Sequence, residues 1–293
     1  MTAAGVESSV APGGGKGGGQ GDGQGGGSTF YWPMLMLPPR KRAAIFAVYR
    51  FCRAVDDIAD EPGDPEDQRL RLERWRQHVR ALPAVAAQDP LVGDLRDAML
   101  RYALPPTELE AVIDGVAMDI GASVRAPTLD ELRLYCRRVA GAVGLLAIRI
   151  FDRADPETEA FAMALGEALQ FTNILRDLEE DAAMGRLYLP RDLLVEAGIA
   201  DTDPTAVLAH PQLAMACRSL AALAEARFAE AGRLLERWPR RRLWSARAMM
   251  ILYRRLLASM AAVGWPLNAR PRLAGATCAW VTFRCAAGRA PAR

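Results

Sequence analysis

Three aspartates crowd the five-residue stretch Asp56-Asp57-Ile58-Ala59-Asp60, and a second acidic run extends from Gln170 to Asp181. On an α-helix, at ~100° per residue, Asp56 and Asp60 stand one turn apart on one face, and Asn173, Asp177 and Asp181 repeat that spacing over two turns. If the two faces meet across a shared cavity, about four carboxylate charges converge, an arrangement too costly to persist without cations. The donors are hard oxygens with no His or Cys beside them, which selects Mg²⁺, and Mg²⁺ usually completes its shell with substrate phosphates. The chemistry such a pair could do is ionisation of a diphosphate.

The neighbours of these acids sharpen the pattern. Tyr49, Arg53, Asp56 and Asp60 fall within an arc of about 60°, and Gln170, Asn173, Asp177 and Asp181 within about 80°. Apolar residues such as Ile45, Val48, Phe51, Phe171 and Ile174 fill the rest of each helix. Either motif alone also fits a solvated helix face, the first simply preceding a Pro62-Gly63 stop. Their common geometry favours a shared site. Gly185-Arg186-Leu187-Tyr188-Leu189-Pro190 follows the second motif. It reads as a flexible loop able to fold over a diphosphate, or as an ordinary capping loop. In Tyr135 to Gly144, small residues recur at one-turn spacing within an apolar helix, which suits a close helix neighbour or a long apolar ligand.

Helices must position these groups. From Arg40 onward apolar residues recur every three or four positions, predicting helices near 40–60, 66–82, 91–103, 107–123, 129–152, 156–182, 191–196, 205–237 and 242–263. The breaks fall at Pro62-Gly63, Pro83, Pro90, Pro105-Pro106, Pro127, Pro190 and Pro204. No β-branched alternation, repeat or linker interrupts this pattern, so a single all-α domain over 29–272 is expected. Residues 1–28 are Gly-rich and expected to be disordered, and 273–293 carry no clear element.

Composition removes several classes. The net charge of +2 gives no reason to expect nucleic acid as a partner. Five scattered cysteines without a Cys-x-x-Cys pair argue against a disulfide framework and a zinc site, and favour a reducing cytoplasm. His78 and His210 are too isolated for His-based catalysis. No apolar run spans a membrane, which leaves room only for peripheral membrane contact. Gly13 to Gly19 lacks the strand and the Lys-Ser/Thr of a phosphate loop, and no strand-linked Gly-x-Gly-x-x-Gly suggests a dinucleotide.

These residues resemble the squalene and phytoene synthases, which join two isoprenoid diphosphates head to head. The matching motifs are Tyr49-x-x-x-Arg53-x-x-Asp56-Asp57-x-x-Asp60, Tyr135-Cys-x-x-Val139-Ala-Gly141-x-Val143-Gly144 and Gln170-x-x-Asn173-x-x-Arg176-Asp177-x-x-Glu180-Asp181. The Gly185–Pro190 loop and Tyr253-Arg254 add to them, in the family's order, over about 28 to 270. The opening from Ser28 through Phe30, Tyr31 and Trp32-Pro33 is similar to the bacterial presqualene diphosphate synthases of hopanoid biosynthesis. Arg137 departs from the pattern, standing where an aromatic is common.

The resemblance implies an isoprenoid synthase fold, a single helical bundle around a central cavity. It implies roughly two or three Mg²⁺ ions, held by Asp56, Asp60, Asn173, Asp177 and Asp181. Arg53, Arg186 and Tyr188 would steady the leaving diphosphate, and Tyr49 and Tyr253 would line the reacting centre. Phe30, Val139, Gly141, Val143 and Gln170 complete the expected substrate contacts, with Phe51 and Leu169 in the apolar wall. The implied reaction condenses two farnesyl diphosphates to presqualene diphosphate, without NADPH, ahead of downstream squalene-pathway enzymes. Phytoene or dehydrosqualene synthesis is the alternative on this scaffold, and a non-catalytic helical binding protein is the remote one.

Overall fold

The computed structural model describes residues 31–82, 89–121, 124–266 and 270–289. The Gly-rich tail and Phe30 lie outside them. Among the described residues the chain is helical, and its β content is one isolated bridge between Arg125 and Leu187. In order the helices are α1 (Tyr31–Leu35), α2 (Pro39–Asp60), α3 (Pro65–Ala81), α4 (Pro90–Tyr102) and α5 (Pro106–Val116). Next come α6 (Leu129–Cys136), α7 (Ala142–Phe151), α8 (Pro156–Arg176), α9 (Leu178–Ala183) and α10 (Arg191–Glu196). The last four are α11 (Pro204–Leu208), α12 (Leu213–Glu236), α13 (Trp244–Val263) and α14 (Gly275–Ala286).

Proline starts many of these helices. Pro65, Pro90, Pro156 and Pro204 each occupy a first helical position, where no backbone N–H is needed. Each follows an aspartate, Asp64, Asp89, Asp155 or Asp203, whose carboxylate accepts from a first-turn N–H. Among the breaks read from proline, Pro90, Pro106 and Pro204 are helix starts and Pro190 directly precedes α10, whereas Pro62-Gly63 and Pro127 lie in connections and Pro83 falls outside the described residues.

The α8 helix is the central element. Phe161, Leu165, Leu169, Phe171, Ile174 and Leu175 are all buried on it, against α7, α12 and α13. Two glycines set the closeness of α8 to α7 and to the turn just before it. A Cβ on Gly144 would lie 2.9 Å from the Ala162 carbonyl oxygen, and one on Gly166 2.9 Å from that of Ala140.

Four expectations need correction. The helix over 129–152 is divided by a π-helical turn, Arg137–Gly141, which widens the backbone beside the cavity. The helix over 156–182 breaks at Asp177, whose φ of −103° and ψ of 12° leave the helical basin. The helix over 205–237 is two helices, because Pro211 interrupts between α11 and α12. The helix over 107–123 ends at Val116 and tightens into a 3₁₀ turn, Ala117–Asp119. The C-terminal stretch, without an expected element, forms α14, which buries Cys278, Val281 and Cys285 against α13.

Candidate active site

Helices α2, α5, α7, α8 and α13 enclose a cavity of about 840 Å³, toward the upper end of ligand pockets, which run about 300–1,000 Å³. Its two ends differ in chemistry. Val48, Val112, Val143, Phe161, Leu165 and Met249 line an apolar interior, while Asp56, Asp60, Asp119, Asp177 and Asp181 gather with arginines that include Arg53, Arg176, Arg186 and Arg270 at the polar end.

On α2 the four-residue spacing holds as expected, and Tyr49, Arg53, Asp56 and Asp60 all line the cavity. Arg53 donates to Asp56 at 3.0 Å and to Asp57 at 2.6 Å, so the guanidinium is held among the acids it would share with an anion. The Asp56 carboxyl is pushed up to about 6, first by burial and then by Asp60, with Asp119 and Asp57 adding to the repulsion.

The second motif survives the break at Asp177. The Asp177 N–H still donates to the Asn173 carbonyl at 2.9 Å, and the Asp181 N–H to that of Asp177 at 2.8 Å. Gln170, Asn173, Asp177 and Asp181 therefore all face the cavity. Arg176 grips Asp177 with two bonds of 2.7 and 2.5 Å, and Arg270 approaches the same carboxylate at 2.9 Å and Glu180 at 3.0 Å. The Tyr253 hydroxyl, buried on α13, accepts a hydrogen bond from Arg176; burial pushes it up to about 12 against the pull of that arginine. Burial and then Asp177 push Asp181 up to about 7, with Arg186 opposing.

Asp119 was not anticipated. It ends the 3₁₀ turn after α5 and lies between the acidic motifs, since it raises both Asp56 and Asp181. Its carboxylate accepts from the Tyr188 hydroxyl at 2.8 Å and the Tyr135 hydroxyl at 3.1 Å, and the two rings stack with centroids 5.2 Å apart. Burial raises Asp119 itself to about 6 despite these donors. Burial, followed by the Asp119 charge, drives Tyr188 well above its ordinary value. Arg270 and Arg272 also line the cavity without having been anticipated.

The Gly185–Pro190 segment is anchored rather than flexible. Gly185 takes a φ of +74°, which a glycine adopts without strain. The Leu187 N–H donates to Val124 at 2.6 Å and the Leu187 carbonyl accepts from Ala126 at 2.9 Å. Leu187 and Tyr188 are buried as a result. Arg186 is turned inward onto Asp60.

Among the described residues, no three His, Cys, Asp or Glu side chains converge as a ready-made ion cage. The donor set nevertheless fits a hard divalent cation. Asn173 Oδ1 is buried in the acid wall without a hydrogen-bond partner, and three carboxyls are raised by burial and by neighbouring carboxylates. A neighbouring cation would relieve both conditions, and Mg²⁺ needs only one or two carboxylates when phosphate and water supply the rest.

Of the other expected residues, Val139, Val143, Leu169 and Gly144 line the cavity. Gly141 does not: it is buried against Met163, where a Cβ would lie 3.0 Å from the sulfur. Phe51 is likewise turned away, stacked edge-on against Trp75 at 5.5 Å. Arg137, at the position common to aromatics, pairs with Glu108 at 2.8 Å outside the cavity wall.

The sequence model described as Squalene/phytoene synthase matches residues 24–276. The presqualene diphosphate synthase of Rhodopseudomonas palustris is 43% identical over 245 residues, 84% of this chain and 88% of that protein. Among solved structures, the squalene synthase HpnC from Alicyclobacillus acidocaldarius superposes with a TM-score of 0.72 at 29% identity, over 80% of this chain and 88% of that one. A dehydrosqualene synthase in complex with ligand superposes with a TM-score of 0.77 at 25% identity, over 88% and 90% of the two chains.

Proposed function

The chain belongs to the squalene/phytoene synthase family, and from that membership we propose that it condenses two farnesyl diphosphates to presqualene diphosphate, releasing diphosphate. The carrying observation is the division of one cavity into an acid-and-arginine end and an apolar interior. An isoprenoid diphosphate has the same two halves.

Asp56, Asp60, Asn173, Asp177 and Asp181 would hold Mg²⁺, which when bound supplies positive charge against the developing diphosphate leaving group. Arg53, Arg176, Arg186 and Arg270, each paired with an aspartate, exchange those partners for phosphate oxygens as substrate enters. The C1–O bond of the donor breaks with its electron pair leaving on diphosphate. The C2–C3 double bond of the second substrate attacks C1, and loss of a proton closes the cyclopropane.

The apolar walls keep water from the allylic cation. Cys52 also borders the cavity, and burial pushes its thiol up to about 12, so it stays neutral and offers no competing thiolate. Tyr188 and Tyr253 are raised in the same way and remain hydroxyls. Neutral phenols are poor bases, so they orient substrate, and the departed diphosphate takes the proton. Asp119 is a positioning residue that fixes Tyr188 and Tyr135. The product keeps one diphosphate, so an enzyme that ionises it again must act next.

Incubation with farnesyl diphosphate and Mg²⁺, with and without NADPH, followed by mass analysis, tests this reading. A C30 cyclopropyl diphosphate in both cases supports it. The likeness to a dehydrosqualene synthase makes dehydrosqualene the second reading, and that hydrocarbon, or phytoene from the C20 substrate, would replace the first.

A further inference from the structure

Charge is distributed unevenly along this chain. Residues 237–293 contain 12 arginines and no Asp, Glu or Lys, whereas the whole chain is only +2. The preceding part is therefore net acidic. Several of these arginines are spent on acids elsewhere, Arg237 on Glu157, Arg242 on Asp152 and Arg254 on Glu225. Arg240, Arg241 and Arg289 are exposed and form no ion pair among the described residues.

Part of this surplus, Arg241 and Arg289, lies at the C-terminal end of α14, a helix that also carries an uncovered aromatic pair. Its inner face buries Cys278, Val281 and Cys285 against α13. Its outer face leaves Trp280 43% and Phe283 61% exposed, three residues apart on one side. The Arg284 guanidinium lies 5.1 Å from the Trp280 ring centre, and Arg241 reaches Gly288 at the helix end. Two large aromatics bordered by cations, on a helix without an acid of its own, suit an interface that is apolar beneath an anionic surface.

We propose that α14 seats the protein on anionic lipid bilayers, with Trp280 and Phe283 entering the headgroup–acyl boundary and Arg241, Arg284 and Arg289 facing lipid phosphates. No helix among the described residues is long and apolar enough to cross a membrane, so this contact is peripheral. A second copy is a poor occupant, because a two-fold contact through this face sets arginine against arginine. The location suits the cavity. Arg270, Pro271 and Arg272 line it, and Leu273 then joins the α13–α14 cluster, so the docked face adjoins the cavity wall. Binding through α14 does not depend on the reaction assigned above.

The test is sedimentation of the full chain, without substrate, with vesicles of phosphatidylcholine alone or containing phosphatidylglycerol, at low and high salt. Binding is expected to the anionic vesicles and to weaken with salt. Trp280→Ser with Phe283→Ser, and separately Arg241→Gln with Arg289→Gln, should each lower it at least about tenfold, with melting temperature and turnover of detergent-dispersed substrate unchanged. Absence of wild-type binding, equal binding to neutral vesicles, or undiminished binding by either variant overturns the proposal. So does a wild-type dimer, or RNA binding, that the aromatic variant abolishes while vesicle binding persists.

Discussion

Arg186 places Nη1 2.5 Å from Asp60 Oδ1 and Nη2 3.0 Å from the Ala59 carbonyl, although 126 residues separate Arg186 from Asp60. This contact ties the loop after α9 to the end of α2, and so fixes one acidic wall relative to the other. The arginine is only 12% exposed and Asp60 37%, which places the pair between a surface bridge and a buried one.

Arg186→Met should therefore destabilise the protein by about 1–2 kcal/mol, below the 3–5 kcal/mol of a fully buried pair. A double-mutant cycle with Asp60→Asn, measured by urea unfolding, should return a coupling above about 0.5 kcal/mol. Additivity would show that the two walls are held by other contacts.

Asp119→Asn should lower kcat by about 100-fold or more, with a smaller change in KM, because the amide keeps only one of the two accepting oxygens and can no longer hold both tyrosines, while the apolar cavity persists. Tyr188→Phe should produce a similar loss, and the double variant should be little worse than either single one. Multiplicative losses would mean that Asp119 and Tyr188 act separately.

Much of this site was legible in the sequence, for a physical reason. Asp56 with Asp60, and Asn173 with Asp177 and Asp181, are spaced by the helix period, so each cluster is visible within one local window. Asp119 is not local in this sense: its partners Tyr135 and Tyr188 lie 16 and 69 residues away. Arg270 escaped notice because it sits outside a helix, where no period marks it. Periodicity also could not reveal the π turn at Arg137–Gly141 or the break at Asp177, since both keep neighbouring residues near their helical faces. The resemblance implies a substrate contact for Gly141, yet its small size answers to the packing of Met163.

The glycines offer a test of close approach between helices. Gly144→Ala and Gly166→Ala each set a Cβ 2.9 Å from a backbone oxygen, and each should cost about 1–3 kcal/mol. Gly232→Ala, in the interior of α12 with nothing within 4 Å, should instead stabilise by about 0.5–1 kcal/mol. Denaturant unfolding of the three variants checks both signs. A stabilised Gly144→Ala would refute the α7–α8 contact.

Glu110 provides the pH dependence. The Arg80 hydrogen bond, ahead of the nearby Arg76, lowers its carboxyl below the ordinary 4.5. A lowered folded value means the contribution is fully present above pH 4.5 and is lost as pH falls through that folded value. The group is solvent-screened, so Glu110→Gln should cost under about 1 kcal/mol at neutral pH. The difference should vanish in strong acid. Unfolding midpoints across acid pH measure it, and a gap that widens on acidification would reverse the sign.

The most direct measurement is the melting temperature of the protein with Mg²⁺ and inorganic diphosphate, added singly and together. The wild type should rise by several degrees only when both are present, as expected for a ligand bound well above its Kd. Asp56→Asn combined with Asp177→Asn should remove that rise while leaving the ligand-free protein folded. An undiminished rise in the double variant would contradict a divalent–diphosphate site between the acidic walls of α2 and α8–α9.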